Sequence, residues 1–269
     1  MFKEFIDEVK SLYEKLLNND RPFLDDFLKK WNIEGSIGEV YQNLCKKELK
    51  KEMGSFYTPY EIVDFMVDEM IKGLDYWENP FVKIVDPSCG GGYFLIAAFK
   101  KLVVLAEEAG IENPGEHVLK YNIYGYDIDE NAVMITTLEI FNLTGQVTRN
   151  IRCQDFLMTD GEFDIVIGNP PYMGHKVLKG EYREKLCEIF QDVFQDKADL
   201  SYCFIKKSID SLKVGGRLVF FTSRYILEAL HGKGIREYIK NQDKSRVSLI
   251  FMESELLKEL ELTILYLNL

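Results

Sequence analysis

A chain of 269 residues has room for one large α/β domain and a small accessory unit, and its 46% apolar content is that of a protein with a substantial core. No apolar run approaches the ~20 residues that a membrane span needs, and the amino-terminal stretch mixes charged with apolar residues, unlike a signal peptide. The formal net charge of −11 argues against a generic nucleic-acid coat protein. Five scattered cysteines without a CxxC pair argue against a metal site and indicate a reducing, cytoplasmic environment.

Residues 1–53 are predicted to form a small helical unit. Apolar residues recur at helical spacing from Phe2 to Leu17, a second helix is expected over residues 22–31, and a third runs from Ile37 to about Lys51. These helices are expected to pack against the rest of the chain, because each has an apolar face to bury.

The next helix is predicted to begin at Thr58. Threonine is a good N-cap, Pro59 fits the first helical position, and Glu61 completes a capping box. From Lys83 onward strand and helix patterns alternate, which predicts an α/β fold with a mainly parallel sheet covered by helices on both faces. The glycines at 215 and 216 are expected to turn the chain from a helix into the fifth strand. The seven predicted strands have the sequences VKIVD, NIYGYD, NIRCQD, FDIVIGN, GRLVFFTS, VSLIFM and LTILYLNL.

Four features of chemical interest lie at the carboxyl ends of the first four predicted strands, the edge where ligands bind in open α/β sheets. These strands end in DPSCGGGYF, GYDID, CQDF and GNPPY. Glycines let the first turn approach a ligand, and Asp127 can accept both hydroxyls of a ribose. The alternatives are a tight turn and, for Asp127 or Asp129, a helix cap. The coincidence of four features favours a nucleoside-like cofactor. A dinucleotide such as NAD is disfavoured, because Asp127 lies farther from the glycines than the spacing of ~20 residues that such sites need.

The fourth strand runs directly into Asn169, Pro170, Pro171 and Tyr172. Proline has a fixed φ and no backbone N–H, so the loop is expected to be stiff and to present an amide, carbonyls and an aromatic ring. The alternative is a turn in which the prolines only end the strand.

The order of these motifs resembles that of N6-adenine DNA methyltransferases of restriction–modification systems, in the circular order called gamma. The resemblance covers roughly residues 54–269 and rests on FYTP, DPSCGGGYF, GYDIDENA and NPPY. It implies a Rossmann-like class I methyltransferase sheet of seven strands, mostly parallel and with an antiparallel final hairpin. It also implies a catalytic domain over residues 54–269, with residues 1–53 as the helical unit.

The resemblance assigns S-adenosylmethionine as cofactor and gives each motif a role. Tyr57, Thr58 and Pro59 would line its methionine end, while Asp86, Pro87, Ser88, Gly90 and Gly92 would wrap its backbone side. Asp127 would bind the ribose, Ile128 the face of the adenine, Asp155 its amino group and Phe156 its ring, with Asn169 also near the cofactor. Asn169, Pro170, Pro171 and Tyr172 would handle the target base.

The composition of the NPPY loop suits transfer to an exocyclic amino group. The lone pair of that nitrogen is delocalised into the ring, and acceptors at Asn169 and the Pro170 carbonyl would make it available for attack. Tyr172 would stack on a base flipped out of the duplex. Lys176, Lys179 and Arg183 follow the loop and would contact phosphates of double-stranded DNA.

One departure from the family is the absence of residues for a target-recognition region. The chain is therefore expected to be a fragment of a longer protein or to work with a specificity subunit. Alternatives are methylation of protein glutamine, RNA or the N4 of cytosine, or an inactive binding module that retains the fold.

Overall fold

The computed structural model describes residues 1–48, 58–174, 177–195, 198–223, 225–242, 250–252 and 262–268. Tyr57 and Lys176, for which roles are predicted above, lie outside these residues. The chain divides into two compact units, the first formed by Met1–Glu52 and Pro59–Asp155, the second by Met53–Thr58 and Phe156–Leu269. The division into domains at residue 53 stays a prediction. No helix of the described residues is long and apolar enough to cross a membrane.

The first unit combines seven helices with three parallel strands among its described residues. The strands are β1 (Ile84–Asp86), β2 (Ile123–Asp127) and β3 (Ile151–Cys153), in the order β3-β2-β1. The helices are α1 (Phe2–Leu17), α2 (Asp25–Lys30), α3 (Ile37–Glu48), α4 (Tyr60–Ile71), α5 (Tyr93–Glu108), α6 (Pro114–Tyr121) and α7 (Glu130–Thr144). All three strands lie where the sequence pattern predicts them.

The predicted helices α1 to α3 are confirmed, and their apolar faces share one core with α7. Phe5 and Val9 of α1, Ile37 of α3, and Ile135 and Leu138 of α7 are all buried in this cluster. Burial of each such side chain contributes about 1.5–3 kcal/mol to the stability of the folded chain, which explains why short helices are stable here. The amino-terminal helices thus pack on the helix that follows β2.

The predicted cap of α4 is wrong. The helix begins at Tyr60, and Pro59 occupies the N-cap position without a side-chain hydrogen bond. The Pro59 carbonyl accepts from the amides of Ile62 and Val63. The hydroxyl of Thr58 has a different partner, described below.

The second unit carries β4 (Phe163–Gly168) and β5 (Leu212–Ser223), which are parallel. Its helices are α8 (Gly180–Ile189), α9 (Leu200–Asp210), α10 (Tyr225–Glu228) and α11 (Lys233–Lys240), with 3-10 turns at Phe156–Met158 and Leu230–Gly232. The described strands that run parallel therefore number five, three in the first unit and two in the second.

The remaining two predicted strands correspond to β6 (Ile250–Met252) and β7 (Leu262–Asn268). The backbone of β7 pairs antiparallel with β5 and β6, and residues 253–261 fall outside the described part.

The glycines at 215 and 216 do not precede β5, as predicted, but lie inside it. The strand begins at Leu212, which pairs with Phe163, and its register with β4 then shifts so that Arg217 pairs with Ile165. Gly215 has a φ of +81°, a conformation that favours glycine. The two glycines therefore form an irregularity within the strand instead of a turn before it.

Candidate functional site

In the first unit, the carboxylate of Asp127 connects the end of β2 with the turn after β1, residues 88–92, which we call the glycine-rich turn. Its Oδ2 accepts from the Gly90 amide at 2.8 Å, and its Oδ1 accepts from the Asp129 amide at 2.9 Å. Burial raises the pKa of Asp127, and these two donors oppose that effect. The carboxylate is therefore held in one orientation at the tip of its strand.

The glycine-rich turn has a shape that other residues would not adopt. Gly90 and Gly92 have φ values of +50° and +83°, in the left-handed region. A Cβ on Gly92 would lie 2.8 Å from Cγ2 of Thr136 on α7, and the Thr136 hydroxyl donates to the Gly90 carbonyl at 2.7 Å. Both backbone groups of Gly90 are thus hydrogen-bonded within the protein, which holds the turn in this shape.

The helix cap that the sequence left open between Asp127 and Asp129 is Asp129, while ribose binding by Asp127 stays a prediction. Asp129 caps α7, since its Oδ1 accepts from the Asn131 amide at 3.0 Å. Between them, Ile128 is 76% exposed. A fixed carboxylate beside an exposed apolar side chain fits a nucleoside, which offers two hydroxyls and an apolar ring face.

Asp86, at the end of β1, is the most buried carboxylate of the site, at 1% exposed. Its Oδ1 accepts from the Ser88 amide at 3.0 Å, which helps to form the first part of the turn. Burial raises the pKa of Asp86 to about 8, and the nearby charge of Asp127 acts in the same direction. Asp86 is therefore protonated at neutral pH. Pro87 beside it is buried, and Ser88 is half-buried.

Replacing Asp86 with asparagine is expected to remove a pH dependence of stability. The folded chain holds a proton that the unfolded chain, with a pKa of 3.8, releases, so this contribution to stability is full below pH 3.8 and is lost as pH rises toward 8. Between pH 6 and 8 the free energy of unfolding should fall by at most about 2 kcal/mol more in the natural chain than in Asp86→Asn. Urea unfolding at both pH values measures this, and a stability difference that does not change with pH contradicts it.

In the second unit, the first residue of the NPPY loop contacts Thr58. Nδ2 of Asn169 donates to the Thr58 hydroxyl at 3.1 Å, although the two residues are 111 positions apart. Thr58 is 4% exposed, so this hydrogen bond is shielded from water. With Nδ2 donated, the atom that the Asn169 amide offers as an acceptor is its side-chain oxygen. Thr58 therefore orients an amide of the loop instead of capping α4.

The rest of the loop is held by one side-chain and one backbone hydrogen bond. The Tyr172 hydroxyl donates to the Phe221 carbonyl of β5 at 2.9 Å, and the Met173 carbonyl accepts from the Leu200 amide at 3.1 Å. Burial raises the pKa of Tyr172, so its hydroxyl remains a donor. Pro170 is buried and Pro171 is half-buried. The predicted stiffness of the loop thus has a structural basis, while stacking of Tyr172 on a base stays a prediction.

The third strand leads to residues with unequal exposure. Asp155, the last residue of the first unit, is half-buried. Phe156 is 1% exposed and packs in the second unit with its ring 6.4 Å from those of Phe163 and Phe204, centroid to centroid. Phe156 is a core residue here, and its predicted contact with an adenine ring stays a prediction.

Cys89 is buried, which raises its pKa and agrees with the packing role expected for it.

Three residues near the glycine-rich turn were not predicted from the sequence. Thr136 gives no sequence signal, because a threonine in an apolar helix reads as a core residue. Glu139 does give one, since it is a charged residue among apolar neighbours in the second half of α7, and it is buried at 7% exposure. Tyr41 on α3 donates to the Asp129 carboxylate and reads from the sequence only as part of an apolar face.

Comparison with known proteins identifies the group to which this chain belongs. A model of the Eco57I restriction-modification methylase family matches residues 121–256, just over half of the chain. The chain belongs to this family. The matched residues include β2 with Asp127 and the whole NPPY loop.

Curated relatives of this chain agree with that assignment. It is 27% identical over 208 residues to the type II methyltransferase M.HincII of Haemophilus influenzae, an alignment that covers 77% of the chain and 35% of the relative. It is 31% identical over 188 residues to M.VspI of a Vibrio species, which covers 68% of the chain and 40% of the relative. The chain thus spans somewhat more than a third of the length of these relatives.

Solved structures show that the fold is an α/β methyltransferase fold. A Listeria monocytogenes protein, described as a candidate class I S-adenosylmethionine-dependent methyltransferase, superimposes with a TM-score of 0.59 at 17% identity, covering 97% of this chain and 80% of that protein. The DrdV–DNA complex gives a TM-score of 0.63 at 18% identity, covering 86% of this chain and 28% of that protein. The methylase family and the fold are therefore shown by independent comparisons.

Proposed function

We propose that this chain transfers a methyl group from S-adenosylmethionine to the exocyclic N6 of a flipped-out adenine in DNA, as the modification component of a restriction–modification system. The observation that carries the proposal is the hydrogen bond from Asn169 to Thr58. It joins two motif segments that are remote in sequence and orients the acceptor oxygen of the loop. A loop that merely ended a strand would not need a buried partner for its amide.

The proposed cofactor site lies in the glycine-rich turn and the end of β2. Asp127 would accept the ribose hydroxyls, Ile128 would cover one face of the adenine, and Asp155 would accept from its amino group. Pro59, Asp86, Pro87, Ser88, Gly90 and Gly92 are the other proposed cofactor-binding residues in the described part of the first unit. The cofactor would supply an electrophilic methyl group on a sulfonium, so the chain needs no covalent nucleophile for the transfer.

The proposed acceptor chemistry belongs to the NPPY loop. The Asn169 side-chain oxygen and the Pro170 carbonyl would each accept a hydrogen bond from one N–H of the adenine amino group, which favours a pyramidal nitrogen with an available lone pair. Once methylated, this nitrogen would release one proton to water. Acceptors that are fixed beforehand stabilise the charge that develops on this nitrogen without reorganising. Thr58 would keep the oxygen of Asn169, not its nitrogen, toward the base. Tyr172, held through its hydroxyl, would place its ring against the flipped base.

Double-stranded DNA is the proposed partner, with Lys179 and Arg183 binding its phosphates. Lys179 is exposed immediately before α8, and Arg183 lies half-buried within α8. Reversing both charges to glutamate should weaken DNA binding and lower the slope of log affinity against log salt by about 0.9 for each phosphate that is no longer neutralised. Fluorescence anisotropy across a salt series measures both quantities, with Lys29→Glu on the exposed surface of α2 as the control. An equal weakening in the control, or an unchanged slope, would contradict the assignment.

The nature of the methyl acceptor separates this proposal from its alternatives. Protein-glutamine, RNA and N4-cytosine methyltransferases pose the same chemical problem, and an inactive module would bind without transfer. The test is transfer of a tritiated methyl group in one reaction that contains DNA, RNA and protein, followed by separation of the three polymers. Label in DNA supports the proposal, and label confined to RNA or protein contradicts it. A specificity subunit or a further recognition region is proposed to select the DNA sequence.

A further inference from the structure

The first turn of α3 lies directly against the glycine-rich turn of the first unit. A Cβ on Gly38 would come within 2.9 Å of both Cα and the carbonyl oxygen of Gly91, and a Cβ on Gly91 would come within 2.9 Å of Gly38 Cα. Backbones approach this closely only where neither residue has a side chain. The glycine-rich turn is therefore in contact with α3 on one side and with Thr136 of α7 on the other.

A buried carboxylate anchors the amino end of α3 at this contact. Oε1 of Glu139 accepts from the Ser36 hydroxyl and from the Gly38 amide, the latter at 3.1 Å. Burial raises the pKa of Glu139, and these donors, together with the Ile37 amide, oppose that effect. A carboxylate at the amino end of a 12-residue helix is also favoured by the helix dipole. Glu139 thereby fixes α3 to α7 at the level of Gly38.

A second link connects α3 with the predicted ribose carboxylate. The hydroxyl of Tyr41, one turn after Gly38, donates to Oδ2 of Asp129. The Asp129 amide donates to Asp127, whose other oxygen accepts from Gly90. Four residues thus form one continuous series of hydrogen bonds from α3 to the glycine-rich turn.

We infer that α3 is a positioning element for the cofactor site, and that Gly38, Tyr41 and Glu139 set the conformation of the glycine-rich turn without contacting the cofactor. The inference deepens the proposed function and rests on it for the identity of the ligand. The amino-terminal helices are then part of the cofactor-binding machinery and more than a cover for α7.

The physical consequence is weaker cofactor binding when α3 is displaced. The Gly90 carbonyl is held by Thr136 and its amide by Asp127, so a side chain at position 38 must displace either α3 or the turn. If the turn occupies its binding conformation for only a fraction of the time, its affinity for the cofactor is multiplied by that fraction. A small displacement of α3 should therefore lower the affinity for the cofactor more than it lowers the free energy of unfolding.

The decisive variant is Gly38→Ala, with Gly115→Ala as its matched control. Each glycine is the second residue of its helix, α3 and α6, where alanine has the better helix propensity. A Cβ on Gly115 would meet only Phe99, at an ordinary 3.7 Å. Calorimetric titration with S-adenosylmethionine should give a dissociation constant raised about tenfold or more in Gly38→Ala and unchanged in Gly115→Ala.

Tyr41→Phe provides a second variant, because it removes only the hydroxyl that bonds Asp129. Tyr13→Phe, on α1 and packed against the same core, is its control. Tyr41→Phe should bind the cofactor about three- to tenfold more weakly, with an unfolding midpoint close to that of Tyr13→Phe. Glu139→Gln keeps an acceptor oxygen and should retain more affinity than Glu139→Leu, a rescue that a packing role alone does not produce.

Amide hydrogen exchange of the ligand-free chain tests the inference independently of the cofactor. Peptides that contain residues 88–92 should exchange faster in Gly38→Ala than in the natural chain or in Gly115→Ala. Equal exchange and equal affinity in both glycine variants would overturn the positioning role while leaving the proposed function intact. Failure of the natural chain to bind S-adenosylmethionine would refute the proposed function, and faster exchange in Gly38→Ala would then still establish that α3 holds the turn.

Discussion

Replacing Asn169 with alanine is expected to lower the rate of methyl transfer to DNA by about 10²–10³-fold at saturating cofactor. The side-chain oxygen of Asn169 is the acceptor proposed to take a hydrogen bond from one N–H of the target amino group. Removal of a single fixed hydrogen-bonding group that stabilises developing charge costs on this scale in other enzymes. The measurement is single-turnover transfer of a labelled methyl group, which separates the chemical step from product release.

The matched controls for Asn169 are substitutions of its partner. Thr58→Ser keeps the hydroxyl that accepts from Nδ2, whereas Thr58→Val replaces it with a methyl group of similar size. We expect transfer by Thr58→Ser to resemble that of the natural chain and transfer by Thr58→Val to fall by about 10-fold or more, because the amide of Asn169 can then rotate. Equal rates in the two threonine variants would show that the orientation of Asn169 does not matter.

Replacing Asp127 with alanine is expected to weaken binding of S-adenosylmethionine by at least about 100-fold. Two effects combine, since the variant loses the proposed charged acceptor for the ribose and also the acceptor that holds Gly90 and Asp129 in place. Hydrogen bonds to a charged group contribute about 1.5–3 kcal/mol each, so removal of two suffices for this change. Calorimetric titration gives the dissociation constant directly.

The control for Asp127 must separate binding from stability. Asp7→Ala removes an exposed carboxylate from the same unit and should leave the dissociation constant unchanged. Asp127→Ala leaves two backbone amides without their acceptor, so its unfolding midpoint should be measured and the titration performed well below it. Binding by Asp127→Ala with near-natural affinity would place the ribose elsewhere.

The parts of this fold that could be predicted from the sequence are those that local pattern determines. The helices α1 to α3 have clear helical periodicity, and each of the five parallel strands lies at a segment that the sequence pattern predicts to be a strand. The position of Asp127 at the tip of β2 follows from this pattern alone. The glycines after β1 were predicted to form a tight turn that could approach a ligand, and two of them have left-handed backbone that favours glycine.

The parts that could not be predicted depend on contacts between remote residues. Thr58 has every local property of an N-cap, and only its tertiary contact with Asn169 reveals another role. The irregular start of β5 depends on its register with β4, which no local pattern specifies. The contact of Gly38 with Gly91 is equally invisible, since a glycine near a helix start reads as a weak helix position.

The most direct test of the proposed function is to identify the nucleoside that the chain methylates. Mixed-sequence DNA would be incubated with the chain and labelled S-adenosylmethionine, digested to nucleosides and analysed by mass spectrometry, in parallel with Asn169→Ala. We expect N6-methyl-2′-deoxyadenosine with the natural chain and a rate reduced by about 10²–10³-fold with the variant. Methyl groups on cytosine, or no methylated nucleoside from a chain that binds the cofactor, would contradict it.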